Sequence, residues 1–244
     1  MRKTIIFVEG WTEQVWVREY LIKWHEYQNL KLDCFTLFNK KIHPSDYSFG
    51  GENVDYYYQI INTGGDKRVN DLLIEETPRL RNLGFNRIIG LRDMLSQEYR
   101  QLVTAQMVDK NVIEKIINIH RQTIKKLLQN NTSDIHLCYA IMEIEAWVLG
   151  LSTYFELIDA RLTHDFINKN LNLDLENTDP ETTIFNPATT LSKIFNLVDK
   201  NYGKRQGEID SIISHLNKTD YQAFLNTEKC MSFNVFHNAI HENS

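Results

Sequence analysis

The hydrophobic period of the chain switches within its first twenty residues. Thr4-Ile5-Ile6-Phe7-Val8 is a short continuous apolar run, stopped by Glu9-Gly10-Trp11-Thr12-Glu13, and Gln14 to Trp24 then follows helical spacing. Leu30 to Phe38 reads as a second strand, Asn39 to Glu52 as a polar loop, and Val54 to Ile61 as a third strand broken by Asn62-Thr63-Gly64-Gly65-Asp66. The spacing of Val69, Leu72, Leu73, Leu80 and Leu83 predicts a helix from Lys67 to Leu83, with Pro78 set to kink or interrupt it. Gly84 closes that helix, and Asn86-Arg87-Ile88-Ile89-Gly90-Leu91 is a buried strand running into Arg92-Asp93. Helices over Ser96 to Met107 and Val112 to Gln129 precede a strand at Ile135 to Ile141, and helix resumes in Met142-Glu143-Ile144-Glu145-Ala146-Trp147. From Leu151 the pattern is helical, with polar loops at Asp174 to Thr183 and Lys200 to Arg205.

Strands alternating with helices through residues 1–150 predict an α/β core with a largely parallel sheet flanked by helices. Right-handed crossovers bring the carboxyl ends of its strands to one side. Residues 151–244 then form a helical C-terminal appendage. With 244 residues and 42% hydrophobic positions the chain can fill such a core, and four prolines with ten glycines argue against long disordered linkers. It opens on a strand and holds no apolar stretch of bilayer length, so the expectation is a cytoplasmic protein with no membrane partner. Cys34, Cys138 and Cys230 are widely spaced, without a CxxC, and read as buried thiols. The histidines are assigned no role.

Three predicted strands end on carboxylates: Glu9, Asp93, and Glu143 or Glu145. The carboxyl edge of an open parallel sheet is where such folds hold ligands, and Gly10 permits a sharp turn there. Thr12 as helix cap places Glu13 in the first turn, beside Glu9. Singly, each acid has a structural use: Glu9 and Glu13 answer the helix dipole, and Asp93 pairs with Arg92 or caps the next helix. Together they are hard oxygen ligands of the kind that Mg2+ or Mn2+ prefers. Glu143 and Glu145 face one way in an extended chain but diverge by about 200° in a helix. Glu143, nearer the strand end, is therefore the favoured ligand, with Glu145 behind it or on a second metal.

These residues resemble a family. Val8-Glu9-Gly10-Trp11-Thr12-Glu13, the loop Gly64-Gly65-Asp66 before a helix, and the strand ending in Asp93 look like the TOPRIM fold of topoisomerases, DnaG-type primases, OLD nucleases and small ribonuclease maturases. Met142-Glu143-Ile144-Glu145-Ala146-Trp147 narrows the likeness to bacterial TOPRIM-like proteins related to the OLD-type nucleases, in which an EIEAW-type motif follows the sheet. Asn186-Pro187-Ala188 with Leu191, and Tyr202 with Lys204, resemble that group's helical tail. The resemblance implies metal-dependent phosphodiester chemistry, with Glu9 as metal ligand or general acid/base and Asp93 as metal ligand. TOPRIM enzymes usually carry Asp-x-Asp where this chain has Asp93-Met94-Leu95, and Glu13, Glu143 or Glu145 could supply the missing ligand. The implied setting is a bacterial defence or toxin-like system, with an ABC- or AAA-type ATPase as partner because the chain has no GxxxxGK[ST] loop.

A net charge of -5 argues against a general electrostatic nucleic-acid binder, so contact with DNA or RNA would fall to local basic positions. Lys67 and Arg68 follow a Gly-Gly turn whose amides can bind phosphate, and Lys204 and Arg205, with Lys200, form the later basic loop. Each of these taken singly reads more readily as an ordinary surface charge than as a substrate contact, and Tyr202 could stack on a base or pack on the tail. The sequence thus predicts a metal-dependent nuclease, free to form a homodimer. Its alternative is a catalytically inactive TOPRIM-like binding or assembly module.

Overall fold

In the computed structural model, which describes residues 1–205 and 207–241, strand β1 (Arg2–Val8) lies between two parallel neighbours and is apolar on both faces. Ile6 and Val8 enter one core, Ile5 and Phe7 the other, as expected of a strand covered on both sides. The neighbours are β5 (Tyr56–Asn62) and β6 (Arg87–Asp93), which place Ile60 and Ile89 opposite Ile6. Outside them run β2 (Leu30–Phe38) and β7 (Ile135–Ala140), both parallel to their inner neighbours. The stretch read as a polar loop contains β3 (Lys41–Pro44) and β4 (Phe49–Gly50), each antiparallel to β2. β3 is exposed at every position, so no apolar alternation marks it. The seven-stranded sheet has the order β3-β2-β5-β1-β6-β7, with β4 off the path beside β2. This is the expected α/β class with a mostly parallel sheet, an arrangement consistent with a TOPRIM-like fold.

Helix α1 (Trp11–Trp24) covers one face, while α2 (Asp66–Asn82) and α4 (Lys110–Leu127) cover the other. The chain leaves β1 toward β2 and leaves β5 toward β6, in opposite directions across the sheet. The two connections part at the carboxyl ends of β1 and β5, which opens a crevice there. α2 runs unbroken through Pro78, contrary to the expected interruption. Pro78 sits on the exposed side, where the carbonyl it leaves unbonded can meet water. The helix predicted to reach Met107 is shorter: α3 (Gln97–Leu102) is capped by Ser96 and gives way to extended backbone at the β-branched Val103.

The C-terminal region is helical. It contains α5 (Glu145–Gly150), a 3-10 turn (Ser152–Tyr154), α6 (Phe155–Ile158), α7 (His164–Leu171) and α8 (Pro180–Thr183). These are followed by α9 (Pro187–Asn196), α10 (Glu208–Ile213), α11 (Lys218–Leu225) and α12 (Met231–His241). They share one apolar core with α1 and its sheet face. At its centre Trp16 of α1 meets Trp147 at 5.1 Å, Phe233 at 5.7 Å and Tyr221 at 6.2 Å between ring centroids. Arg87 fastens α12 to β6 by donating to the Ala239 carbonyl. Among the described residues no helix is long and apolar enough to cross a membrane.

Candidate metal centre

Glu9 follows β1 at the carboxyl edge of the sheet, and its Oε2 accepts the backbone N–H of Asp93 at 3.3 Å. Asp93 ends β6, and its Oδ1 accepts the N–H of Ile144 at 3.0 Å. That second bond ties β6 to the segment after β7. There Met142 adopts a left-handed φ of 64° and turns the chain toward α5. Because of this turn the segment is neither a continuous strand nor a continuous helix, and Glu143 and Glu145 both reach the site. Asp93, Glu143 and Glu145 each bring an oxygen within 4.8 Å of the others. The expected choice between the two glutamates is thus replaced by a shared cluster. Ala146 and Trp147 of the same motif turn inward, and the Trp147 indole donates to Glu181 at 2.9 Å.

Glu13, the third residue of α1, is buried behind the strand-end acids. Thr12 is not the cap: Gly10 holds that position without a side-chain bond, and Thr12 is buried one residue inside the helix. Gly10 itself is extended, at φ -144° and ψ -169°, so its role is room rather than a turn. A Cβ there would come 2.9 Å from Oε2 of Glu13. Asp93 neither caps α3 nor pairs with Arg92, whose guanidinium meets Asp66 at 3.3 Å on the other side of the sheet.

Crowding sets the electrostatics of the site. Burial, then the charges of Glu145 and Glu9, push the Glu13 carboxyl up to about 7. Burial also raises Glu9, reinforced by Asp66 and opposed by the Asp93 N–H. Asp93 is held well above the ordinary carboxylate range by burial and by Glu13 and Glu9. Glu145 is fully buried and raised for that reason, with Lys204 opposing the rise.

Lys204 is the cation of this cluster. Its Nζ lies 3.0 Å from Oε1 of Glu143 and 3.0 Å from Oε2 of Glu145. Burial works against its charge, and Glu145, Asp93 and Glu143 outweigh that and hold it protonated. Oε2 of Glu145 has no hydrogen bond, so the ion pair is its sole polar contact among the described residues. Glu143 is held as well by the N–H of Ala188 at 3.1 Å, in the first turn of α9. Tyr202 is buried and donates to Oε1 of Glu145 at 2.7 Å, which excludes it as a base-stacking platform. Lys67, Lys200 and Arg205 are exposed, and Arg68 lies 3.8 Å from Asp71.

Sequence reasoning missed a second group at the same edge. Arg92 is almost fully buried, reaches Nδ1 of His120 at 3.0 Å as well as Asp66, and lies over the Tyr139 ring. His120 in turn meets Glu98 at 3.1 Å. Asp66 opens α2 directly after Gly64-Gly65, of which Gly64 has a left-handed φ of 75°, so the glycine break was its available signal. A further acidic cluster, Asp179, Glu181 and Cys230, is a structural knot. Asp179 accepts the N–H groups of Glu181 and Cys230, and Glu181 accepts the Trp147 indole and the N–H of Ser232.

The oxygen-only donor set at the strand ends fits a hard divalent cation such as Mg2+ or Mn2+. No protein-family model, no curated protein and no solved structure matches this chain.

Proposed function

We propose that this protein is a metal-dependent nuclease of the TOPRIM type, hydrolysing phosphodiester bonds in DNA or RNA with Mg2+ or Mn2+. One observation carries the reading: acids from three strand ends and the first turn of α1 converge on one crevice, with Glu9 bonded to the backbone of Asp93. The motifs VEGWTE, LRD and MEIEAW supply the family likeness. Glu9 and Asp93 would hold the ion, with Glu13 and Glu143 beside them. A divalent ion bound there supplies a polarised phosphate and a water acidic enough to attack it at neutral pH. The chain's own residues do the rest. Lys204 offsets the charge of Glu143 and Glu145, and the exposed Lys67 and Arg205 are available to the substrate backbone. Energy from ATP, where the reaction uses it, would come from a partner ATPase.

Glu9→Gln and Asp93→Asn keep the side-chain shapes and remove the charges. Each is expected to lower Mg2+- or Mn2+-dependent cleavage of plasmid, single-stranded DNA or tRNA by at least about 100-fold. Cleavage at wild-type rates in both variants would refute the proposal. The ion pairs of Lys204 favour a second reading, a non-catalytic binding or assembly module whose acids are neutralised from within. Metal binding with no cleavage of any of the three substrates selects that module.

A further inference from the structure

We infer that Lys204 is a resident counter-ion standing where a second metal would sit, so that the site takes one divalent ion, and that Glu208 is the residue positioning it. This deepens the metal-dependent reading and rests on it.

The ammonium bridges Glu143 and Glu145 at equal distances of 3.0 Å. An ion reaching Glu145, which has no exposed surface, would have to displace it. The acids outside this ion pair are Glu9, Glu13 and Asp93, which lie close enough for Glu9 to accept the Asp93 N–H and for the charges of Glu13 and Glu9 to raise Asp93. The position that would complete an Asp-x-Asp pair adds none, since it is Leu95, packed against the apolar core. Three carboxylates suit one hard cation that keeps part of its water shell.

The loop carrying Lys204 is built for this placement. Lys204 has a left-handed φ of 58°, a conformation a side-chain-bearing residue holds only where its surroundings fix it. The fixing groups are on either side. Oε2 of Glu208 accepts the N–H of Gly203 at 2.6 Å and that of Arg205 at 2.9 Å, and Tyr202 is bonded to Glu145. These two anchors on one carboxylate flank Lys204 and hold the loop where its Nζ meets Glu143 and Glu145.

The test is Mn2+ stoichiometry, by titration calorimetry and by the electron paramagnetic resonance of bound Mn2+, on the full chain and on Lys204→Met, Lys204→Arg and Glu208→Ala. Wild type and Lys204→Arg are expected to bind one ion. Lys204→Met leaves buried carboxylates without their cation and is expected to bind two. Glu208→Ala keeps every charge at the metal site but frees the loop, and is expected to take a second ion with about tenfold lower affinity than Lys204→Met. It also serves should Lys204→Met fail to fold. Two ions in wild type, or one in both Lys204→Met and Glu208→Ala, would overturn the inference. No binding by any of these proteins would overturn it together with the metal-dependent reading. Ions bound only once Lys204 is replaced or released would overturn the one-ion inference, with Lys204 then filling the whole site in wild type.

Discussion

Glu13 shows how a single small residue shapes the site. Gly10 is extended, so alanine suits its backbone, yet its Cβ would fall 2.9 Å from the Glu13 carboxylate. Gly10→Ala is therefore expected to cost about 1 kcal/mol or less in stability, the scale of changing a helix cap. Its effect on Mn2+ should be larger, about a tenfold loss of affinity, because the displaced carboxylate faces Glu9 and Asp93. Calorimetry beside a thermal melt separates the two effects, and unchanged affinity would remove Glu13 from the metal site. The acids themselves were legible, because a charged residue ending an apolar run is conspicuous. Lys204 was visible as a basic position in a loop and, with Tyr202, as part of the likeness in the helical tail, but not as a partner of the acids. Its pairing with Glu143 and Glu145 joins residues sixty apart in sequence, which no local pattern encodes.

Among the elements, strands and long helices were read from periodicity because burial on both faces or along one stripe enforces it. β1, β5, β6, β7 and α4 are such cases. The exposed β3 and the end of α3 escaped, since solvent imposes no period on them. Close packing of α2 on the sheet also leaves only a faint trace, the single Gly90 in an apolar strand. A Cβ there would come 2.6 Å from Leu73 Cδ1 and 2.9 Å from Val69 Cγ1, both on α2. Gly90→Ala is expected to destabilise the protein by about 1–3 kcal/mol through overpacking. Adding Leu73→Ala should recover part of that loss, giving a non-additive cycle in urea denaturation. Additive losses would mean that α2 does not rest on Gly90. Because α2 begins at Asp66, beside Arg92, displacing it also disturbs the edge that holds Glu9.

The molecule as a whole is polarised along its strands, with crowded acids at the carboxyl end and a histidine cluster at the amino end. His237 and His241, spaced HxxxH on α12, lie 4.7 Å apart between ring centroids with their planes tilted by 44°, and His25 lies against Tyr56 at the start of β5. Tyr20 bonds to His237 at 2.6 Å and Tyr58 to His25 at 2.8 Å. The HxxxH spacing stands in the sequence but was missed there, where the histidines were given no role; its meaning comes from the end of α12 meeting Arg2 of β1 and His25. Burial lowers His25 and His237 to about 4 each, helped at His25 by Lys218, and lowers His241 to about 2, helped by His237, His25, Arg2 and Arg87. Between pH 6.5 and about 4 the unfolded chain therefore binds more protons than the folded one, and these groups withdraw stability as pH falls. The opposite holds at Glu13 and Glu181, both raised to about 7 by burial. Their contribution is full below about 4.5, where the unfolded carboxyls are also protonated, and is lost as pH rises through about 7. The two ends thus oppose each other over one pH range, and wild type alone would hide both. Differences between variants separate them. His237→Asn keeps a polar partner for Tyr20, and wild type should lose about 1 kcal/mol relative to it as pH falls from 6.5 to 4, a figure reduced because the ring is partly open to water. In metal-free buffer wild type should also weaken relative to Glu13→Gln as pH rises from 5 to 8. Urea midpoints at half-unit pH steps measure both differences, and curves that stay parallel to wild type would show that neither end couples protons to folding.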